Sequence, residues 1–568
     1  MDPVVNGIAP DVELDAGIAS ANLYERFRLS ARRFADCPAL KAKGGLGRTY
    51  TYAQVDQLVI KGAAILGGVD EPLIGLIGEN KPEWPIAYLA ILAAGKTVVP
   101  IDCNLKPAEI AAIVRHSGVK TIIASGKCQP VISELNLSLK TLLLDSDSSG
   151  YWINNSPDDT RPADSSVAEV AVIIYTSGTT GDPKAVELTH RNLLSNQAGI
   201  SNALAFSEND TFLSVLPLHH TFEASCGFLT PMCNGCCIVY ARSLKSREIL
   251  EDLAANNVTI MCGVPLLFEK MYHAVRRGIH DAPIPKRLFF WAAFGVSRML
   301  RHFGLKIGVP LFRSFRRKTG LATIRMFVSG GAPLPRAVSR FFNVVGFEFL
   351  QGYGMTECSP VVTVNRPDDN RFGSVGPPLF NVRVKIDKPD ADGIGEICVR
   401  GENTTPGYRG NPERTAELIR DGWLHTGDLG RFHKGHLWIT GRAKNVIISA
   451  AGKNIYPEEI EEHLLASPYI MEAVVVGLKK GNEGEAVWAV LVPDLEQFRA
   501  DTGLDPAKPD QELIRTILSR EVETVNNHSS DYKRIVGFDI SLTELEKTST
   551  KKVRRQLYLS SDSGPHRT

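Results

Sequence analysis

The sequence predicts an α/β protein: a large N-terminal domain of layered α/β subdomains plus a β-rich subdomain, then a small α+β C-terminal domain. Three observations predict it. At 568 residues the chain is too long for a single core. Short apolar, β-branched runs alternate with helical patterns over most of its length. Near Gly441 the pattern changes to two short strands followed by a helix that opens on Pro457.

Taken in order, residues 1–20 read as loosely ordered. From Ala21 to about Leu144, helical patterns separate apolar runs at residues 73–77, 97–101 and 121–124. Residues 145–166 are rich in Asp, Ser, Asn and Pro and read as a long connection. A buried strand is expected at 170–175, and Thr189 can cap a helix starting near His190. Further strands are expected at 211–215, 237–240, 258–262 and 325–328. Residues 382–386 and 395–400 alternate like half-buried strands, and 401–410 is rich in turn formers. Residues 438–440 and 446–448 read as strands on either side of Gly441-Arg442-Ala443-Lys444-Asn445. Glu458 and Glu459 suit the positive end of the Pro457 helix. The domains are placed at 1–441 and 442–568, with a polar, disordered tail after Leu557.

Composition excludes several classes. Hydrophobic residues at 43% and charged residues at 22% are those of a globular protein. A net charge of +1 gives no global field for nucleic acid. Met1-Asp2-Pro3-Val4 does not read as the start of a signal peptide, so none is expected, and the most apolar run, 86–99, is broken by Gly95-Lys96. Ten cysteines are expected as free thiols in a reducing, cytoplasmic setting. Cys233, Cys236 and Cys237 lack a second pair at zinc-site spacing and read as buried thiols, not metal ligands.

Three stretches carry chemistry. Tyr175-Thr176-Ser177-Gly178-Thr179-Thr180-Gly181-Asp182-Pro183-Lys184 is packed with glycines and hydroxyls and holds one lysine. Glycines let backbone N–H groups approach an anion, so a phosphate-gripping loop is the functional reading, against a flexible Gly/Thr surface loop. It is not a Walker loop, because Gly178 and Gly181 are three apart and Ala185 follows Lys184. Gln351-Gly352-Tyr353-Gly354-Met355-Thr356-Glu357 sets an acid beside a threonine in a glycine-bearing loop, which suits magnesium and a phosphate oxygen. Thr426-Gly427-Asp428-Leu429-Gly430 offers one carboxylate, either to a ribose diol or to its own turn.

In order, these stretches resemble the adenylate-forming superfamily of acyl-CoA synthetases, firefly luciferase and peptide-synthetase adenylation domains. Leu216-Pro217-Leu218-His219-His220, Ser329-Gly330-Gly331-Ala332-Pro333-Leu334, Gly441 to Glu459 and Lys547-Thr548-Ser549-Thr550-Lys551-Lys552-Val553 extend the match from about residue 20 to 556. The resemblance implies roles. Thr176, Ser177, Gly178, Thr179, Thr180, Gly181 and Lys184 wrap the β- and γ-phosphates of ATP. Thr356 touches the α-phosphate and Glu357 holds Mg2+. Gly330, Gly331, Ala332 and Tyr353, with Gly354, border the adenine. Asp428 holds the ribose, with Arg442 assisting. His220 lies by the acyl carboxylate, and Lys552 is the catalytic lysine of the mobile C-terminal domain, whose hinge is Lys444. Relatives often have glycine before that lysine, where this chain has Lys551, so both lysines stand as candidates with Lys552 preferred.

The histidine segment continuing into Thr221-Phe222-Glu223, Met355-Thr356-Glu357-Cys358-Ser359-Pro360 and the late lysine segment resemble the long-chain fatty acyl-CoA synthetase branch. The resemblance implies activation of a medium- or long-chain fatty acid with ATP and transfer to CoA. An acyl carrier protein supplied in trans, or an aryl or short-chain acid, is the alternative. No Asp stands in the region of His220 to Ala224, where amino-acid-activating relatives carry one. Residues 264–268 and Trp291 are the expected determinants of pocket depth. Segment 286–318 carries Lys286, Arg287, Arg298, Arg301, Lys306, Arg313, Arg316, Arg317 and Lys318, interleaved with aromatic residues and without an acid. It reads either as a solvated basic face or as a peripheral membrane contact. A catalytically silent nucleotide-binding scaffold and a nucleic-acid binder are the readings of other classes; the complete set of motif residues speaks against the first and the net charge against the second.

Overall fold

The structure is a computed structural model and describes residues 22–45, 47–155, 169–176, 184–449, 453–479, 485–547 and 553–559. Two large sheets organise the N-terminal part. The first has eight strands, in the order Val361–Val364, Glu348–Gly354, Met326–Ser329, Ile260–Gly263, Thr211–Ser214, Cys237–Tyr240, Pro38–Lys41 and Thr49–Thr51. Its inner pairs are parallel and its two edge pairs antiparallel. The second has seven strands: Gly407–Tyr408, Lys184–Thr189, Val170–Thr176, Thr97–Ile101, Leu73–Ile77, Thr121–Ala124 and Lys140–Leu143. The last five are parallel, and the first two attach antiparallel.

Helix Glu83–Ala93 shows why the layers stay together. It is apolar around its whole circumference and nearly every residue in it is buried, as such a helix must be. Trp84 and Tyr88 stack at 5.5 Å, and Phe228 meets the Tyr88 ring edge-on at 5.5 Å. Burying each of these side chains contributes roughly 1.5–3 kcal/mol. Helix Tyr52–Gly67 packs against it at Gly62, where an added Cβ would come within 2.9 Å of Ala90 and 2.6 Å of Trp152.

A third, β-rich sheet orders Val382–Asp387, Gly395–Gly401, Trp423–His433 and Ile419–Arg420, with His436–Arg442 paired to Trp423–His433. Beyond it, strands Ile470–Lys479, Glu485–Pro493 and Ile535–Ile540 form a small sheet against helices Pro457–Leu464 and Gln511–Asn527. Ile460, Leu464, Val475, Leu491, Ile514 and Leu518 are buried in a core of their own. Lys270 meets Glu544 at 3.4 Å and Arg336 meets Glu462 at 3.0 Å between the two parts. These exposed pairs orient more than they stabilise.

The structure departs from the sequence reading in three places that matter. Strand Lys184–Thr189, which the sequence reading did not single out, precedes helix His190–Ala203, and Thr189 caps that helix as expected. Gln351 to Gly354 is the end of a strand, not a loop. Thr426 to Asp428 belongs to the long strand Trp423–His433. The three cysteines of the 233–237 cluster are buried free thiols, as expected.

Candidate active site

In open α/β sheets, ligands bind beyond the carboxyl ends of parallel strands. Those ends carry the motif residues here. Strand Thr211–Ser214 leads into the histidine segment, and Ile260–Gly263 leads into helix Pro265–His280. Met326–Ser329 leads into Gly330, Gly331 and Ala332, and Glu348–Gly354 into the short turn Thr356–Cys358. The second sheet sends its own strand ends to the same place. Asn80, beyond Leu73–Ile77, donates to the Leu216 carbonyl at 2.6 Å and accepts from the Leu218 amide at 3.1 Å. Asp102, beyond Thr97–Ile101, lies 3.4 Å from His219 Nε2. Burial alone would raise the Asp102 carboxyl, but His219 and the Asn104 amide outweigh it and hold it down at about 2.

His220 sits beside His219 with ring centroids 4.2 Å apart. The next residue, Thr221, donates its hydroxyl to the Thr356 hydroxyl at 3.2 Å. Phe222 lies against Gly330, where a Cβ would approach its ring to 3.3 Å. Gly331 has φ +87, a conformation side chains disfavour. The histidine segment, the glycine segment and Thr356 therefore form one contiguous wall. Gly354 has a packing reason of its own: a Cβ there would stand 1.8 Å from the Pro360 carbonyl oxygen.

On the other side of Thr356 stands the lysine hairpin. Thr176 and Lys184 are register partners at its mouth. The Lys184 ammonium lies 5.4 Å from the centre of the Tyr408 ring, and the Tyr408 hydroxyl donates to Glu357 Oε1 at 2.7 Å. Strand Gly407–Tyr408 pairs with Val186 and Glu187 of the hairpin, which fixes Tyr408 between them. Burial, and then the Glu357 carboxylate, push the Tyr408 hydroxyl well above its ordinary pKa, so it remains a donor.

Asp428 is buried, and each of its carboxylate oxygens accepts one hydrogen bond. Tyr353 donates to its Oδ2 and Arg442 Nε to its Oδ1, each at 2.8 Å. Its position comes from a bulge. Glu396 faces Leu429 and Cys398 faces His425, so three residues, Thr426, Gly427 and Asp428, oppose Ile397 alone. Gly427 takes φ +71 there, and its N–H is held by Glu396 Oε1 at 3.0 Å. Glu396 Oε2 also binds His425 at 2.8 Å, and the Thr426 hydroxyl supports the Asp428 amide at 3.1 Å. Arg442 is the register partner of Asp428 on the neighbouring strand.

Ser177, Gly178, Thr179, Thr180 and Gly181 lie outside the described residues, as do Lys551 and Lys552. Lys547 and Val553, on either side of residues 548–552, pair across as a single β-bridge. Lys444 is exposed, in the turn Ala443–Asn445 that joins strand His436–Arg442 to Ile447–Ile448. Trp291 is 39% exposed on helix Ile284–His302, with its ring 5.4 Å from those of Phe290 and Phe294. Val264 is the member of the 264–268 segment closest to Gly331, 3.9 Å from the position of a Cβ there. Tyr408, Asn80, Asp102 and Glu396 were not singled out from sequence, and Thr221 entered only as part of the extended histidine segment. For Tyr408 the only signal was an aromatic residue inside a turn-rich segment.

A single buried carboxylate beside a threonine hydroxyl offers hard oxygen donors, a set that fits Mg2+. The site as a whole combines a lysine hairpin, this oxygen pair, and a carboxylate held between Tyr353 and Arg442.

The family model described as AMP-binding enzyme matches residues 27–409, and that of the AMP-binding enzyme C-terminal domain matches 444–561. A long-chain-fatty-acid–CoA ligase of Rattus norvegicus is 30% identical over 499 residues, 80% of this chain and 75% of its own length. Long chain acyl-CoA synthetase 4 of Arabidopsis thaliana is 30% identical over 589 residues, 91% of this chain and 85% of its own length. The crystal structure of an anthranilate CoA ligase in complex with anthranoyl-AMP shares the fold, with TM-score 0.76 at 23% identity over 95% of this chain and 96% of that one.

Proposed function

The chain belongs to the AMP-binding enzyme family and is an AMP-forming acid–CoA ligase, and we propose that its acid is a medium- or long-chain fatty acid. ATP and the acid give an acyl-adenylate and pyrophosphate; the CoA thiol then attacks the acyl carbonyl and AMP leaves. The observation that carries this reading is the placing of Thr356 and Glu357 between two halves of the site. Thr356 touches the histidine segment through Thr221, while Glu357 touches the lysine hairpin through Tyr408.

The residue roles follow from charge. A carboxylate approaching the α-phosphorus of ATP brings two anions together, so the barrier is largely electrostatic and is lowered by positioned donors and cations. Lys184 and the hairpin mouth hold the β- and γ-phosphates that depart. Asp428 takes the ribose hydroxyls on its remaining lone pairs while Tyr353 and Arg442 keep the carboxylate oriented. Gly330, Gly331 and Ala332 leave room for the adenine ring beside Tyr353. Glu357, with Thr356, would hold Mg2+, which when bound neutralises phosphate charge. His220 borders the acyl carboxylate. Lys552 donates to the α-phosphate, and Lys444 is the hinge on which domain 442–568 turns between half-reactions. The placement of Glu544, next to Lys547 and 3.4 Å from Lys270, supports a C-terminal domain turned toward the ends of the strands.

The experiment is a pyrophosphate-release screen over carboxylic acids from acetate to stearate with CoA, and in parallel with an acyl carrier protein in place of CoA. Release with fatty acids and CoA supports the reading. Release that requires the carrier protein, or an aryl or short-chain acid, replaces it with that alternative.

A further inference from the structure

Between Asp281 and Glu348 the chain contains no acidic residue. Helix Ile284–His302 lies in this stretch and has two apolar faces. The inner one is built into the protein. Phe290 and Ala293 are buried, and the Phe290 ring lies 5.1 Å from Phe312 and 5.2 Å from Phe315. Ser297 donates to the Val344 carbonyl at 2.7 Å and Arg301 to Asn343 Oδ1 at 2.9 Å.

Among the described residues nothing covers the outer face in this way. At 100° per residue, Ile284, Leu288, Ala292, Val296 and Met299 fall on one stripe, flanked by Phe289 and prolonged by Phe303. Phe289 is 71% exposed and Phe303 72%, and Ile284, Leu288, Val296 and Met299 are also exposed. No lysine, arginine or acid falls on that stripe. The basic side chains stand at its margins and on the following helix Arg313–Lys318: Lys286, Arg287, Arg298, Arg313, Arg317 and Lys318. Among the described residues none of these six forms an ion pair with a carboxylate. A helix apolar all round is normally buried, and a contiguous exposed apolar patch marks a contact surface.

We propose that the outer face of helix Ile284–His302, with Phe303 and the basic side chains beside it, docks on an anionic lipid surface from which the acid substrate is drawn. Only the role of the docking rests on the fatty-acid reading; the docking stands on the surface itself. Charge complementarity selects this occupant. An uncharged stripe bordered by lysine and arginine is the arrangement of a helix lying in a bilayer interface, and Trp291 at its edge suits the headgroup level. A second copy of the chain, related by a twofold axis, would set these unpaired cations against themselves. An acidic carrier protein would satisfy the cations but leave the stripe wet. The face is also one layer from the site: Phe294 stacks on Phe341 at 5.7 Å, and Phe341 meets Tyr272 of helix Pro265–His280 at 5.2 Å. That helix begins at the carboxyl end of strand Ile260–Gly263.

The test uses the full chain in co-sedimentation with phosphatidylcholine vesicles, with and without phosphatidylglycerol, at low and high salt. Pelleting should require phosphatidylglycerol, fall with salt, and shift Trp291 emission to the blue, a shift absent from Trp291→Phe. The variant Leu288→Glu/Phe289→Glu/Phe303→Glu should pellet roughly tenfold less, the loss expected when inserted apolar side chains become charged. These positions are exposed, so the variant should unfold at the parent's temperature and keep ATP–pyrophosphate exchange with octanoate in solution. Pelleting that ignores phosphatidylglycerol and salt, or a variant that pellets like its parent, overturns the proposal. So does a dimer, or capture of an acyl carrier protein, that the variant abolishes. Exchange lost from parent and variant alike would instead count against the fatty-acid reading and leave the vesicle result standing.

Discussion

The Tyr408 hydroxyl donates a 2.7 Å hydrogen bond to the Glu357 carboxylate, while the Tyr408 ring carries the Lys184 ammonium at 5.4 Å. One side chain thus ties the oxygen pair of one sheet to the lysine hairpin of the other. Removing the hydroxyl should leave Glu357 without that donor. A hydrogen bond to a charged group contributes about 1.5–3 kcal/mol. Tyr408→Phe should therefore lower acyl-adenylate formation by roughly 10- to 100-fold, with the largest change in the Mg2+ concentration required. Exchange assays across a magnesium series measure this. A variant with the parent's magnesium dependence would remove Tyr408 from the site.

Asp428 depends on its bulge as much as on its own carboxylate. Glu396 holds the Gly427 N–H at 3.0 Å, and Gly427 stands at φ +71. Gly427→Val forces a β-branched side chain into the left-handed region, a cost of order 1–3 kcal/mol. We expect a raised KM for ATP, while the KM for the fatty acid stays within about twofold, well under the tenfold that 1.4 kcal/mol would give. Equal changes in both would show a general collapse of the site and not a displaced ribose carboxylate.

Glu223 is buried to 1% exposure behind the histidine segment, with neither carboxylate oxygen in a well-formed hydrogen bond. Burial pushes it up to about 8, and Ser214 and the Leu216 amide offset this only in part. The folded protein therefore holds a proton that the unfolded chain loses near the ordinary glutamate pKa of about 4.3. The stabilising effect of that proton is complete below the unfolded value and is lost as pH rises through the folded one. Glu223→Gln should be more stable than the parent above pH 8, by several kcal/mol at most. It should also lack the parent's decline in stability between roughly pH 4.5 and 8. Thermal unfolding at intervals over this range reads it directly. An unchanged slope would mean that Glu223 is already ionised in the folded protein.

Gly354 and Gly330 should respond differently to alanine. At Gly354 a Cβ would meet the Pro360 carbonyl oxygen at 1.8 Å, backbone that cannot yield without moving the Thr356–Cys358 turn. At Gly330 it would meet the Phe222 ring at 3.3 Å, which a small rotation relieves. Gly354→Ala should reduce stability by about 1–3 kcal/mol and abolish exchange activity. Gly330→Ala should retain the fold and raise the KM for ATP. Chemical denaturation paired with exchange kinetics separates the two. The reverse ranking would contradict the placing of the turn.

The fold class was legible because the strands that carry it are short, β-branched and evenly spaced: Leu73–Ile77, Thr97–Ile101 and Cys237–Tyr240 stand where the apolar runs put them. Strands with weak alternation were not. Lys184–Thr189 is short and begins on a charged residue, and Gly407–Tyr408 has only two residues. Motif residues were legible where unusual residue types cluster, as at Thr356-Glu357 and His219-His220. Their partners were not, because Tyr408, Asn80 and Asp102 gain meaning only when strand ends from different sheets converge. Tyr353 was expected beside the adenine, but no local pattern announced its bond to Asp428, which is set by packing between two sheets. The bulge was hidden for a related reason: Gly427 reads equally as a turn glycine or as an extra residue in a strand.

The most direct measurement of the proposed chemistry is ATP–pyrophosphate exchange in the absence of CoA. Exchange should depend on a medium- or long-chain fatty acid and on Mg2+. In Lys552→Ala it should fall by roughly 10²–10³, the scale of losing one charge-stabilising donor, while supplied acyl-adenylate is still converted to acyl-CoA. Absence of exchange with every acid tested, or an equal loss of both half-reactions in Lys552→Ala, would contradict the assignment.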